Sequence, residues 1–257
     1  AQLARQRDMA DRLGYLSPAY LIYQAMADIA ETNASAWIRH KSAAPGHLTF
    51  EEPFAYWSIP QRPAGTLQTI DGRFADDPAL FDAQIDVILR CCQDHESPMN
   101  WFFGPIVTPQ DIGKRLRRRG LMGPRYLPAM VADLSLPIAE PVWPIETVED
   151  WSEFDSLPHP LANWSTKASR PDVLPMLRSA IERAPGRVTH CVARLDGQAA
   201  ACATAFHHED GIGVYDVVTL PEFQRRGAGA SVVRACLQWG RDRGARFATL
   251  QAYPKAT

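Results

Sequence analysis

Apolar positions recur at helical spacing in some stretches and in short strand-like runs in others, and their order predicts two successive mixed units. Ser17-Pro18 is a helix start, a hydroxyl cap followed by proline at the first helical position, with Leu21, Ile22, Ala25, Met26 and Ile29 on one face. Residues 45–74 are rich in Pro, Gly and aromatics, with strands expected near 47–50 and 66–70. Asp77-Pro78 opens a second helix with Phe81, Ile85, Ile88, Leu89 and Cys92 on one side. Residues 100–104 are strand-like. Thr108-Pro109-Gln110-Asp111 then has capping-box spacing and opens a short helix ending at Gly120. A strand at 130–134 closes the first unit. Pro137, Pro141 and Pro144 follow closely, which places a boundary between units 1–137 and 138–257.

The second unit opens with Thr147 as a capping residue ahead of Val148, Trp151 and Phe154, and a helix spans about 171–183. Strand-like runs at 187–195, 198–207 and 212–220 are separated by Asp196-Gly197 and Asp210-Gly211, both hairpin signals, so an antiparallel meander is expected. A helix at about 228–243 follows, with Val232, Val233, Cys236 and Leu237 inward and Gly244 as its stop, and 247–252 is one more strand.

Composition narrows the function classes. A chain of 257 residues with 46% hydrophobic, 22% charged and 9% aromatic residues is globular, long enough for two cores. The net charge of −2 gives no global attraction for nucleic acid or anionic membrane. Lys114, Arg115, Arg117, Arg118 and Arg119 crowd one short helix; a solvated face is the expectation, with RNA binding a distant rival. Five cysteines, scattered except for the neighbours Cys91-Cys92, fit a reducing, cytoplasmic setting. No Cys-x-x-Cys or His-x-x-x-His spacing marks a metal site, and His207-His208 beside Glu209 and Asp210 is expected as a solvated turn. Residues 19–30 are interrupted by Gln24 and Asp28, so neither a signal peptide nor a membrane span is expected there. With Ala1 in place of an initiator Met, a few leading residues are expected to precede the sequence.

Gln224-Arg225-Arg226-Gly227-Ala228-Gly229 lies between the apolar run ending at Leu220 and the amphipathic helix. Two glycines spaced by one residue allow a tight bend and close approach of backbone to ligand. The unpaired N–H groups and positive dipole end of the helix favour an anion, so the junction is expected to cradle a pyrophosphate. A nicotinamide-type dinucleotide enzyme is one rival. It fits poorly: Val232 stands where a third glycine belongs, and no acid in 247–252 would hold a ribose.

The element order, with Gln224, Gly227 and Gly229 matching Gln/Arg-x-x-Gly-x-Gly/Ala, resembles the GNAT superfamily of acyl-CoA-dependent N-acyltransferases. Val217-Val218-Thr219-Leu220-Pro221-Glu222 and Leu250-Gln251-Ala252 stand where that family has the end of its fourth strand and of its fifth. The resemblance covers roughly 145–257. It implies an α+β fold with central, mostly antiparallel sheets flanked by helices. The first unit resembles a degenerate second copy, through Trp101-Phe102-Phe103-Gly104-Pro105, the Leu116 to Leu121 helix and Pro128 to Leu134, but lacks the glycine motif.

Such a protein transfers an acyl group, most often acetyl from acetyl-CoA, directly to an amine of a small molecule or peptide, without a metal. The resemblance implies that backbone amides from Arg225 to Ala230, with Ser231, hold the coenzyme A pyrophosphate, that Arg225 and Arg226 add charge-assisted contacts, and that Val217, Val218 and Thr219 bind the pantetheine arm as an added strand would. Gln224, Ala228 and Gln251 complete the cofactor-binding set. The amine must lose a proton to attack, and Asp216, Tyr215 and Glu222 are the candidate bases. Each has a plainer reading, as an edge residue, strand packing and an exposed turn acid respectively.

The family normally continues past the fifth strand with a helix carrying a Tyr general acid, whereas this sequence stops at Thr257. The expectations are a missing C-terminal part, or completion by the first half or by another chain in a homodimer. Tyr253 is a substitute acid or a packing residue. The 156–169 loop, with His159 and Trp164, is expected to line the acceptor cleft. A non-catalytic acyl-CoA sensor is the second rival.

Overall fold

A computed structural model describes residues 18–61, 67–104, 107–121, 128–148 and 170–252. Two sheets organise them: one of β1 (His47–Glu52), β2 (Ala55–Pro60), β3 (Leu67–Ile70) and β4 (Met99–Trp101) in that order, the other in the order β5 (Ala129–Asp133), β10 (Phe247–Gln251), β9 (Gly211–Thr219), β8 (Gln198–His208), β7 (Val188–Leu195), β6 (Ile145–Thr147).

In the first sheet, β1 (His47–Glu52), β2 (Ala55–Pro60) and β3 (Leu67–Ile70) are antiparallel, and β4 (Met99–Trp101) runs parallel to β3. The sequence pattern missed β2 because Ala55, Tyr56, Trp57, Ser58 and Ile59 are all buried, leaving no alternation to detect. Helix α2 (Pro78–Asp94) starts where Asp77 accepts a hydrogen bond from the Leu80 amide at 2.9 Å. It buries Phe81, Ile85, Ile88 and Cys92 against Trp57, Ile59 and Phe74, the face expected from its periodicity.

Helix α3 (Ile112–Arg118) is shorter than expected and has no capping side-chain bond: Thr108 instead bridges to Arg73. Its basic face is partly committed. Arg115 pairs with Asp76 and Asp111, and Arg119 with Asp82 and Asp86.

The second sheet contains the meander at the expected places, β7 (Val188–Leu195), β8 (Gln198–His208) and β9 (Gly211–Thr219). Two strands correct the sequence reading. Ile145–Thr147 forms β6 against β7, with Thr147 at the strand end opposite Cys191; the helix that Thr147 was expected to cap lies outside the described residues. Ala129–Asp133, expected to close the first unit, is β5, the edge of the second sheet, antiparallel to β10 (Phe247–Gln251). Leu134 just after it is buried in the second core and its amide donates to Arg246 O at 2.9 Å. A strand's pattern of side chains does not say which sheet edge will accept its backbone.

Helices cover both faces of this sheet. On one, α5 (Ala228–Asp242) buries Ala228, Ser231, Val232, Cys236 and Gly240, while Val233 and Leu237 are partly buried. Gly240 is needed for close approach, since a Cβ there would lie 2.7 Å from Ile212 Cδ1. Alanines at 199, 200, 201, 203 and 205 keep β8 thin under both faces. On the other face lie α4 (Arg170–Arg183), through Leu177 and Ala180, and α1 (Pro18–Ser42). On α1, Ala25 and Met26 are exposed, while Ala30, Asn33 and Trp37, further along the face that Met26 begins, are buried; the side chains of Leu21 and Ile22 lie outside the described residues. Trp37 packs 5.3 Å from both Phe206 and Tyr215, so the later turns of α1 are buried by contact with the second sheet.

Candidate functional site

β9 and β10 begin side by side and then part. They pair in parallel from Gly211↔Phe247 to Val214↔Leu250. Beyond that point β9 stays with β8, through Thr204↔Tyr215, Cys202↔Val218 and Ala201↔Thr219, while β10 pairs Gln251 with Ala129 of β5. The register slips between Cys202 and Thr204, and Asp216 in the slipped stretch has a left-handed φ of 53°. This bulge turns β9 away from its neighbour. The last residues of β9 therefore face a wedge with their β10-side edge, and Val217 is exposed.

The chain leaves β9 through Leu220, whose amide donates to Ala200 O at 2.9 Å, and a short turn at Pro221–Phe223 anchored by buried Phe223. Gln224 folds back, its Nε2 donating to Thr219 O at 3.2 Å. Arg225 and Gly227 both adopt left-handed φ, 61° and 85°. The first bond of α5 runs from the Ser231 amide to Gly227 O at 3.0 Å. The amides of Ala228, Gly229 and Ala230 thus precede it, in the turn where a helix lacks intrahelical acceptors. A Cβ on Gly229 would lie 2.8 Å from Thr219 Oγ1. The glycine therefore lets the helix start lie against the end of β9, joining wedge and turn in one concavity. Arg225, Arg226, Gln224 and Glu222 are exposed around it.

The remaining candidates fall in different settings. Ser231 is fully buried, and its hydroxyl accepts from the amides of Val142 and Trp143 and donates to Gly227 O. Tyr215 turns to the opposite face of the sheet, donating to Asn33 Oδ1 at 2.6 Å and stacking on Trp37. Burial, with Asp216 next to it, pushes its pKa far above the ordinary tyrosine range. Asp216 is half-buried in the bulge at the wedge. Gln251 is exposed at the end of β10. Tyr253 and the 156–169 loop with His159 and Trp164 lie outside the described residues, as do Trp151 and Phe154. Sequence reasoning missed the Val142-Trp143 segment, for it meets the turn from 83 positions away.

Among the described residues no group of His, Cys, Asp or Glu is placed to hold a metal, and no helix is long and apolar enough to cross a membrane.

Residues 132–255 match the model of the Acetyltransferase (GNAT) family. No curated protein matches the chain. Among solved structures, a GCN5-related N-acetyltransferase from Kribbella flavida superposes with a TM-score of 0.67 at 17% identity, covering 87% of this chain and 86% of that one. Another from Sphaerobacter thermophilus gives 0.55 at 14% identity, over 91% and 82%. A tandem GNAT protein from the clavulanic acid biosynthesis pathway gives 0.54 at 10% identity, over 87% of each. At such identities the likeness is one of fold, here two mixed sheets flanked by helices. The family match spans the wedge, the bulge and the glycine turn, and on it residues 132–255 are a domain of the GNAT acetyltransferase family.

Proposed function

We propose that the chain is an acyl-CoA-dependent N-acyltransferase that takes the acetyl group of acetyl-CoA and passes it directly to a primary amine of a small molecule or peptide. One observation carries the reading: the open edge of β9 runs into the first turn of α5 without interruption, because Gly229 has no side chain to separate them. A long ligand with an amide-bearing arm and a diphosphate has matching partners in that order along the concavity.

In this reading the amides of residues 225–230, with Arg225 and Arg226, take the pyrophosphate. Val217, Val218 and Thr219 take the pantetheine arm through their backbone edge. Acetyl-CoA would supply the thioester, its C–S bond breaking as the amine's C–N bond forms and coenzyme A leaving as the thiol; the chain orients it and handles the proton lost by the amine and the one gained by the sulfur. A β9 amide at the wedge is the donor for the tetrahedral oxyanion. Asp216 in the bulge and Glu222 in the turn are the bases, directly or through water. Tyr215 is left to packing, because its hydroxyl is already given to Asn33 and burial opposes its ionisation.

The first sheet lacks the Gln/Arg-x-x-Gly-x-Gly turn, which supports one site per chain and a supporting role for a degenerate first half ending near 137. β5, although it precedes that boundary, pairs with β10 in the second sheet.

The test is thermal stabilisation by acetyl-CoA against NADH, followed by thiol release with a panel of amines. A ligand that binds the native state must raise the melting temperature. No shift with acetyl-CoA sinks the reading. A shift without thiol release from any amine leaves a sensor.

A further inference from the structure

The segment joining the two halves is fastened along α5. Arg234 Nη1 donates to Glu140 O at 3.3 Å and Gln238 Nε2 to Glu140 Oε2 at 3.1 Å. One turn earlier, the amides of Val142 and Trp143 donate to Ser231 Oγ at 3.1 and 3.2 Å. This strap ends at the glycine turn. Val142 Cγ2 lies 3.4 Å from the position of a Cβ on Gly227.

Trp143 grips Arg226 twice. Its Nε1 donates to Arg226 O at 2.8 Å, and its ring lies 5.8 Å from the Arg226 guanidinium carbon. Phe223 closes the bracket, 5.7 Å from the same carbon and edge-on to Trp143 at 6.0 Å. An exposed arginine is ordinarily mobile, and fixing it costs side-chain entropy on binding. Two aromatic faces hold this one beside the turn before any ligand arrives.

We propose that Trp143 is a positioning residue of the cradle: through its indole N–H and ring it presets the backbone and guanidinium of Arg226 for a diphosphate. This rests on the acyl-CoA reading above and adds to it a residue of the inter-unit strap. The carbonyl grip sets the direction of the peptide leading into Gly227, and the ring grip sets the charge. The strap, a connection between halves, thereby becomes part of the ligand site.

Calorimetric titration with coenzyme A and with inorganic pyrophosphate, on wild type, Trp143→Leu, Trp143→Phe, Arg226→Ala and the Trp143→Leu/Arg226→Ala double variant, tests this. Trp143→Leu should weaken coenzyme A binding about tenfold and flatten its salt dependence, because the displaced guanidinium no longer meets the phosphates. Trp143→Phe, which keeps a ring but not the donor, should fall between. In the Arg226→Ala background, loss of Trp143 should cost less than it costs the wild type, since only the grip on the residue 226 carbonyl is then left to lose. Wild-type affinity in Trp143→Leu overturns the proposal, as do independent, multiplying losses in the double variant. Wild type binding pyrophosphate but not coenzyme A defeats the acyl-CoA reading while the variants still judge the proposal with pyrophosphate. Binding of neither overturns both.

Discussion

Tyr215 donates its hydroxyl to Asn33 Oδ1 at 2.6 Å, joining β9 beside the wedge to helix α1 across 182 positions of sequence. Gly213 makes this bond feasible. A Cβ there would lie 2.1 Å from Asn33 Oδ1 and 2.2 Å from the Tyr215 hydroxyl. Tyr215→Phe leaves a buried amide oxygen without its donor and should cost about 1–3 kcal/mol in urea denaturation. Gly213→Ala, which displaces both partners, should cost more than Tyr215→Phe in the same measurement. Equal stability of Tyr215→Phe and wild type would show that the bond contributes nothing.

The same tyrosine sets an alkaline limit. Its folded pKa is raised by burial, so its contribution is complete below the unfolded value of about 10 and is lost as pH climbs past it, when only the unfolded chain gives up the proton. Stability should therefore fall above about pH 10 more steeply in wild type than in Tyr215→Phe. Parallel profiles in chemical denaturation would refute this.

At the acid end the histidines act in the opposite sense. His40 is lowered by burial, despite its 2.7 Å bond to Ala180 O, and His207 is lowered by burial and by Arg187 and Arg243. Depressed pKa values mean that the unfolded chain binds protons first as pH drops below about 6.5. Melting temperature should decline from pH 7.5 toward 5.5, and His40→Gln should shallow that decline. An unchanged slope in the variant would exclude His40 as a cause.

Cradle geometry is open to separate attack at its two glycines. Gly227→Ala imposes a left-handed conformation on an L-residue, at about 1–2 kcal/mol of stability. Gly229→Val places side-chain atoms into Thr219 and the mouth of the concavity, and should abolish thermal stabilisation by acetyl-CoA. Retained stabilisation in Gly229→Val would move the ligand away from this turn.

For the base, Asp216→Asn and Glu222→Gln should be compared by kcat over a pH series. Removal of a true general base lowers kcat by about 10²–10⁴ and removes the acidic limb of the profile. A uniform, small drop across pH would assign the residue to positioning or packing.

Local chemistry alone accounts for much of the second half. The Asp196-Gly197 turn separates β7 from β8 on two left-handed residues, whereas the next turn falls one position before the expected Asp210-Gly211, at Glu209-Asp210, with Glu209 left-handed and Gly211 already the first residue of β9. Gln224 to Gly229 announced the turn before α5, since a left-handed glycine and exposed amides need only neighbours in sequence. What had to await folding was every relation between distant segments. β5 could have capped either sheet; backbone pairing with β10 decided it. Burial along α1 starts at Ala30 and continues through Asn33 and Trp37 because there Phe206 and Tyr215 offer rings and a hydroxyl to meet. Tyr215 and Asp216, adjacent in sequence, were equal candidates until the bulge and Asn33 sent one into the core and left the other at the wedge. Trp143 carried no signal at all, for its part arises from a hydrogen bond to Arg226 across 83 positions. The chain's own pattern determined the helices, the β7–β9 meander and the glycine turn before α5, because those depend on bonds within a few residues. The wedge beside that turn, and which side chains face it, depended on sheet partners that only the assembled molecule brings together.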